Sequence, residues 1–330
     1  MGERGGELSS PPRVACMAVN FGWISYRGLV TDSAARIPAI VNVASGSADA
    51  AREALAESDV FDVHEVEPTA IASTVREVVA AGARRVLIAG GDGTIATAAA
   101  ALIGTNAELA VLPGGTLNHF ARDLGISTVA AEAVALASGD ACRGVDVGVV
   151  NGRIFLNTSS VGAYVRFVRV REQLERHFGY RLASALAAFR ILFTLRLMAV
   201  EVVIEGQKRL YRTPLVFIGV GERGLQLPAL GQRVPNGRRG LHVMVVRGRP
   251  RARALALGLA AVARGLKSVS RTPEFESIIV DKLRIDMNRM GTVAIDGEIV
   301  NLSAPLEYEL KPDALSVVCP PAESLLANQR

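Results

Sequence analysis

Two glycine-rich stretches carry the first chemistry visible in this 330-residue chain. Gly90-Gly91-Asp92-Gly93-Thr94 falls between a short apolar run and an alanine-rich segment, the place of a strand-to-helix junction. There glycines let backbone N–H groups approach a phosphate, and the helix adds a positive N-terminus. Asp92 within the loop suits a bridging magnesium ion, a hydroxyl or ribose contact, or a tight turn in which its carboxylate caps the helix. One strand later, Pro113-Gly114-Gly115-Thr116-Leu117-Asn118-His119-Phe120-Ala121-Arg122 repeats the device. Thr116 can cap a helix or donate to a phosphate oxygen; Asn118 and Arg122, four apart, share one helix face from which a guanidinium suits phosphate. His119 points away from that face and is expected in the core beside Phe120. Far downstream, Asp296-Gly297-Glu298 reads as a hairpin turn or as a pair of positioned carboxylates.

The elements that must position these groups follow from periodicity. Apolar runs at 37–43, 60–66, 85–89 and 109–112 alternate with helical segments ending near 58, at 69–81 and ending near 103. Each run stops in glycine or a polar turn, the pattern of βαβ units around a parallel sheet, and both glycine loops fall at carboxyl ends of strands, where such sheets keep their ligand crevice. After residue 145 the rhythm becomes β-rich, opening on a hairpin turned at Asn151-Gly152. Further strands are expected near 200–205, 215–220, 241–246, 277–280 and 283–287, with helices at 171–198, broken at Gly179, and 251–266. The expected organisation is an extension over 1–36, within which Met17 offers a second start, a nucleotide-binding domain over 37–144, and a β-rich substrate domain over 145–311. A last segment, about 312–322, returns to the first domain.

Half of the residues are apolar and 21% charged, which excludes disorder, and 5% aromatic residues favour α/β over an all-β chain. Cys16, Cys142 and Cys319 are too scattered for a zinc ribbon or a disulfide scaffold, so a reducing compartment is expected. No apolar run reaches the roughly eighteen residues of a membrane span. The nearest, 181–200, is interrupted by Arg190 and Arg196; its stripe of Leu182, Leu186, Phe189, Phe193 and Leu197 fits either an acyl-chain pocket or the core. Residues 1–150 hold 10 Lys and Arg against 17 acids, and residues 151–330 hold 27 against 15. Residues 223–273 contain eleven basic residues and no acid, either an anion-attracting patch or a solvated face. Without interleaved aromatics the charge does not point to nucleic acid.

Taken together, the loop at 90–94 followed by 113–125 closely resembles the diacylglycerol kinase catalytic-domain family, which includes sphingosine and ceramide kinases and bacterial lipid kinases. Gly-Gly-Asp-Gly alone is shared with NAD kinases and phosphofructokinases. Asn42 to Gly46 is similar to the family's Asn-Pro-x-Ser-Gly, with Val43 in place of proline. Asp146, Phe155, Asn157 and Ser160-Val161-Gly162 resemble the start of its second domain, and Asp296-Gly297-Glu298 its late Asp-Gly-Glu. Where relatives carry an acid that contributes to a magnesium site, this chain reads Asn236-Gly237-Arg238-Arg239, so a guanidinium is expected in part of that space.

The resemblance implies a Rossmann-like three-layer α/β domain with a mostly parallel sheet, followed by a β-sandwich-like domain. It implies an ATP- and magnesium-dependent kinase acting on the hydroxyl of diacylglycerol or a related lipid. A sphingoid- or ceramide-type kinase and a non-catalytic lipid- or nucleotide-binding member are the alternatives. By resemblance Glu298 is the base, and Asp92 and Asp296 hold magnesium or orient the hydroxyl. Asn42, Ser45, Gly46, Gly90, Gly91, Asp92, Gly93, Thr94, Gly114, Gly115, Thr116, Asn118 and Arg122 face the nucleotide. The expected setting is a cytoplasmic protein held peripherally on an anionic membrane, binding its lipid and no nucleic acid, with a homodimer as one assembly open to it.

Overall fold

β1 (Ile37–Asn42), β2 (Phe61–Val66), β3 (Arg85–Gly90) and β4 (Glu108–Pro113) lie parallel in the order β2-β1-β3-β4. The helices α1 (Ala48–Ala56), α2 (Ile71–Ala80) and α3 (Asp92–Leu102) return the chain between them. Ala39 to Val41, Val86 to Ala89 and Leu109 to Leu112 are buried, as strands covered on both faces must be, and this is why they read as unbroken apolar runs. α3 is rich in alanine, which has the highest helix propensity and lets the helix lie close to the sheet. These positions follow the sequence pattern to within a few residues. The computed structural model describes residues 36–194, 196–224, 231–247, 275–287 and 291–321, and residues 36–330 belong to one compact unit. The N-terminal extension up to residue 35, the expected helix 251–266 and Arg249, Arg251 and Arg253 lie outside the described residues.

After α4 (His119–Leu124) and α5 (Ala130–Ser138) come β5 (Cys142–Val150), β6 (Arg153–Phe155), β7 (Thr158–Gly162) and α6 (Ala163–Phe193). Asn151 and Gly152, both at positive φ, turn β5 into β6 as expected. α6 starts ahead of the expected residue 171, because Gly162 at φ 96° turns the chain straight from strand to helix, and it is broken at Gly179, φ 68° and ψ 165°. The remaining strands are β8 (Met198–Ile204), β9 (Gln207–Thr213), β10 (Leu215–Val220), β11 (Leu241–Val246), β12 (Phe275–Val280), β13 (Lys282–Asp286), β14 (Gly291–Ile295), β15 (Glu298–Leu302) and β16 (Leu306–Val318).

An antiparallel sheet of order β12-β11-β10-β7-β14-β15 stands apart from the first. The first sheet, however, does not stop where the β-rich half begins. The boundary expected at residue 145 falls inside β5, and β16 carries the sheet from β4 onward to β13, β8 and β9. One long strand thereby serves two cores: Leu315, Val317 and Val318 pack under the parallel strands, while Leu306, Tyr308 and Leu310 pack with Val161, Ile218 and Val293 of the antiparallel sheet.

The charge pattern is also rearranged in space. Arg223 pairs with Asp123, Arg238 with Glu222, Arg239 with Asp146 and Asp313, and Arg247 with Glu276. For these four the single-sign patch expected from residues 223–273 is neutralised, because the carboxylates arrive from strands and loops distant in sequence. The guanidinium expected near 236–239 is that of Arg239, whose Nε lies 2.9 and 2.8 Å from the two Asp146 oxygens. Among the described residues no helix is long and apolar enough to cross a membrane.

Candidate active site

The two glycine loops lie back to back. Gly114 N–H donates to the Gly90 carbonyl at 2.8 Å, and a Cβ on Gly115 would stand 2.8 Å from the Gly91 Cα, so the backbones meet with no room for a side chain. The end of β1 closes the frame. Asn42 Nδ2 donates to Thr94 Oγ1 at 2.8 Å, and the Ser45 and Ser47 hydroxyls reach the Gly114 carbonyl at 3.3 and 2.9 Å. Thr94 in turn packs against Gly90, where a Cβ would meet its side chain at 2.7 Å. A polar cavity of about 640 Å³ results, lined by Ser45, Gly46, Gly91, Gly93, Gly114 and Thr116, by the buried Asn42 and Thr94, and by the apolar Pro68 and Ile71.

Asp92 opens α3, yet its oxygens accept the N–H groups of His119 and Phe120 at 3.1 and 3.2 Å, so it caps α4 from the neighbouring loop. Asn118 stands before α4 at φ 50°; its Oδ1 accepts Gly115 N–H and its Nδ2 donates to the Gly115 carbonyl, both at 2.8 Å. Two expectations change as a result. Asn118 and Arg122 do not share a helix face, because Asn118 is left-handed, and Arg122 is exposed and lines neither cavity of the site. His119 is exposed rather than in the core and lines the second cavity.

Asp296 and Gly297, at φ 47° and 91°, form the two-residue turn between β14 and β15. The Asp296 carboxylate folds onto the chain between β6 and β7, accepting N–H groups of Leu156, Asn157 and Thr158 at 2.7, 2.8 and 2.9 Å. Burial pushes this carboxyl above its ordinary pKa, against the pull of those three bonds. These bonds anchor the turn, and Glu298, the first residue of β15, follows it directly. Glu298 leans over the start of α3, where a Cβ on Gly93 would stand 2.8 Å from its Oε1.

On the other side of Glu298 lies a second cavity of about 690 Å³. Gly91, Gly115, Thr116 and Glu298 line both. The far wall is apolar: Leu215 and Phe217 of β10, Met244 and Val246 of β11, and Tyr164 of α6, whose ring meets Phe217 edge-on at 6.4 Å. Arg171, Glu172 and Glu175 of α6 add a charged side. These residues carry no motif. The available signal is that 215–220 and 241–246 are apolar at nearly every position, as strands covered on both faces are.

Arg223, buried and likewise without a motif, ties the halves of the site together. Its guanidinium donates to Asp123 of α4 at 2.5 Å and to the carbonyls of Asn157 and Val220 at 2.9 and 2.8 Å. Its backbone N–H donates to His242 Nδ1 at 2.9 Å, and burial pushes that imidazole below its usual pKa. The helix after the second glycine loop is thereby fixed to the turn that cradles Asp296. Arg223→Met should cost about 3–5 kcal/mol in urea unfolding, since Asp123 is left buried without its partner, and Arg223→Lys should recover part. A loss below about 1 kcal/mol would show that the pair holds nothing together.

Among the described residues no three His, Cys, Asp or Glu side chains converge as a metal cluster. Of the two carboxylates expected to hold magnesium, Asp296 directs its oxygens to the backbone N–H groups of 156–158 and Asp92 to those at the start of α4.

Comparison with known proteins places this geometry among relatives. Residues 36–150 match the profile of the diacylglycerol kinase catalytic domain. A Pseudomonas putida protein named "Probable lipid kinase YegS-like" is 30% identical over 263 residues, 77% of this chain and 83% of that protein. A protein of the same name from Pseudomonas aeruginosa is 46% identical over 90 residues, a match spanning 27% of this chain and 30% of its own length. A solved diacylglycerol kinase structure from Bacillus anthracis has the same fold, with a TM-score of 0.65 at 21% identity over 87% of this chain and 97% of its own.

Proposed function

Because the chain belongs to the diacylglycerol kinase catalytic-domain family of lipid kinases, we propose that its adjoining cavities hold ATP and a lipid alcohol, and that the γ-phosphate passes from one to the other. The observation carrying this reading is the wall that the cavities share: Gly91, Gly115, Thr116 and Glu298 line both. In the first cavity the loop N–H groups and the N-terminus of α3 suit phosphates, and Pro68 and Ile71 offer an apolar seat for the base. In the second, the wall of Tyr164, Leu215, Phe217 and Met244 suits an acyl chain. An alcohol is a weak nucleophile, so a carboxylate at the junction accepts its proton as the alcohol oxygen bonds to the γ-phosphorus and the bond from that phosphorus to the β-phosphate oxygen breaks, releasing ADP; Glu298 is the carboxylate placed there. Magnesium accompanies the nucleotide in this reading, and no step is assigned to it. ATP as donor implies action on the cytoplasmic side.

The test is label transfer from γ-labelled ATP in mixed micelles to diacylglycerol, sphingosine, ceramide or phosphatidylglycerol, with NAD in parallel. Label is expected in a lipid extract, diacylglycerol or a related glycerolipid leading. Label in NAD and in no lipid would refute the reading.

A further inference from the structure

The second half of α6 is built the wrong way round for a surface helix. Beyond the break at Gly179, Ala183, Ala187 and Ile191 are buried at spacings of four, which fixes the inner face. The opposite face should be polar, yet Leu182 is 51% and Leu186 40% exposed there; Phe178 and Phe189 are exposed as well. Clustered exposed apolar side chains of this kind mark a surface that something covers. From residue 176 to 200 the sequence has four arginines and no acid, and Arg190 and Arg196 stand exposed at the end of the helix.

We propose that this half-helix is the face that enters an anionic bilayer, with Leu182 and Leu186 in the acyl-chain region and the arginines among the headgroups. The proposal rests on the lipid-acceptor reading of the second cavity. Three observations select this occupant. The first half of the same helix lines that cavity through Tyr164 and Glu175, so a bilayer against the second half brings acyl chains to its mouth along one element. An apolar stripe beside exposed arginines such as Arg190 and Arg196 is the pattern of interfacial helices, each basic residue adding attraction to anionic lipid. A second copy packed through this same face would bring in more arginines and no acid from 176–200 to pair with them. The arginines Arg223, Arg238, Arg239 and Arg247, by contrast, are matched by carboxylates.

The experiment is co-sedimentation of the full chain, without nucleotide, with vesicles of equal parts phosphatidylglycerol and phosphatidylcholine. Leu182→Ser with Leu186→Ser should raise the lipid needed for half-binding at least tenfold. Arg190→Gln with Arg196→Gln should weaken binding mainly at low salt, since charges are screened over about 8 Å at 0.15 M and about 3 Å at 1 M. Activity on a dispersed short-chain acceptor should survive both pairs of changes, while activity on vesicle lipid falls with binding. Unchanged sedimentation of the leucine variant would overturn the proposal. So would a wild-type dimer in sedimentation equilibrium that the leucine variant dissolves, which would make the stripe a contact between copies. Vesicle binding through these leucines without any lipid phosphorylation would leave this face standing and refute the kinase reading instead.

Discussion

Glu298→Gln is expected to lower turnover on lipid by about 10²–10⁴-fold, the range lost when a positioned general base is removed. Glutamine keeps the length and shape of the side chain that leans over Gly93, so the loop and its nucleotide contacts should stand as before. The effect should therefore lie in kcat, with ATP affinity by calorimetry unchanged. Asp296→Asn acts differently: its oxygens hold Leu156, Asn157 and Thr158, and the turn that carries Glu298 depends on that cradle. Near-normal turnover in Glu298→Gln would remove the base from the mechanism, whatever the nucleotide does.

The second large effect is expected at Gly115. A methyl group there would stand 2.8 Å from the Gly91 Cα and 3.0 Å from Asn118 Oδ1, and neither neighbour is the free end of a flexible chain. Gly115→Ala should force the two glycine loops apart. Overpacking of this kind costs about 1–3 kcal/mol, and taken from nucleotide binding that is roughly a five- to 150-fold loss of ATP affinity. A bulkier Gly115→Val should abolish measurable binding. Gly91→Val should act similarly but less sharply, because its Cβ would meet Gly115 at 3.4 Å. ATP affinity within twofold of wild type in Gly115→Ala would contradict the back-to-back cradle.

Much of this arrangement is legible in the sequence, and what is not fails for identifiable reasons. The glycine loops announce themselves because only glycine permits two backbones to touch, and strand-to-helix rhythm places them at the same sheet edge. The Asp-Gly turn announces itself because that dipeptide is the type that tolerates two positive φ angles, which both residues adopt. Local rules break down where a single dihedral redirects the chain: left-handed Asn118 undoes the four-residue spacing to Arg122 and brings His119 out of the core. The sequence offers Asp92 as a cap of its own helix and Asp296 as a turn residue or a positioned carboxylate, but nothing local shows that their oxygens accept backbone N–H groups 27 and about 140 residues away. The same distance effect hides Arg223, which is one basic residue among eleven until the fold brings Asp123 and Asn157 to it. Charge counted along the chain does not show which arginines of 223–247 meet carboxylates in space, and the exposed leucines of α6 become visible only once their buried neighbours define the inner side.

The most direct test of the two-cavity arrangement is a crystal structure of the protein with a non-hydrolysable ATP analogue. The expected result is the terminal phosphate against the 90–94 and 113–116 loops on the Glu298 side, about 4–6 Å from its carboxylate, leaving the width of one hydroxyl group between them. A nucleotide seated in the cavity of Tyr164 and Phe217, or one whose terminal phosphate points away from Glu298 toward Pro68, would contradict it.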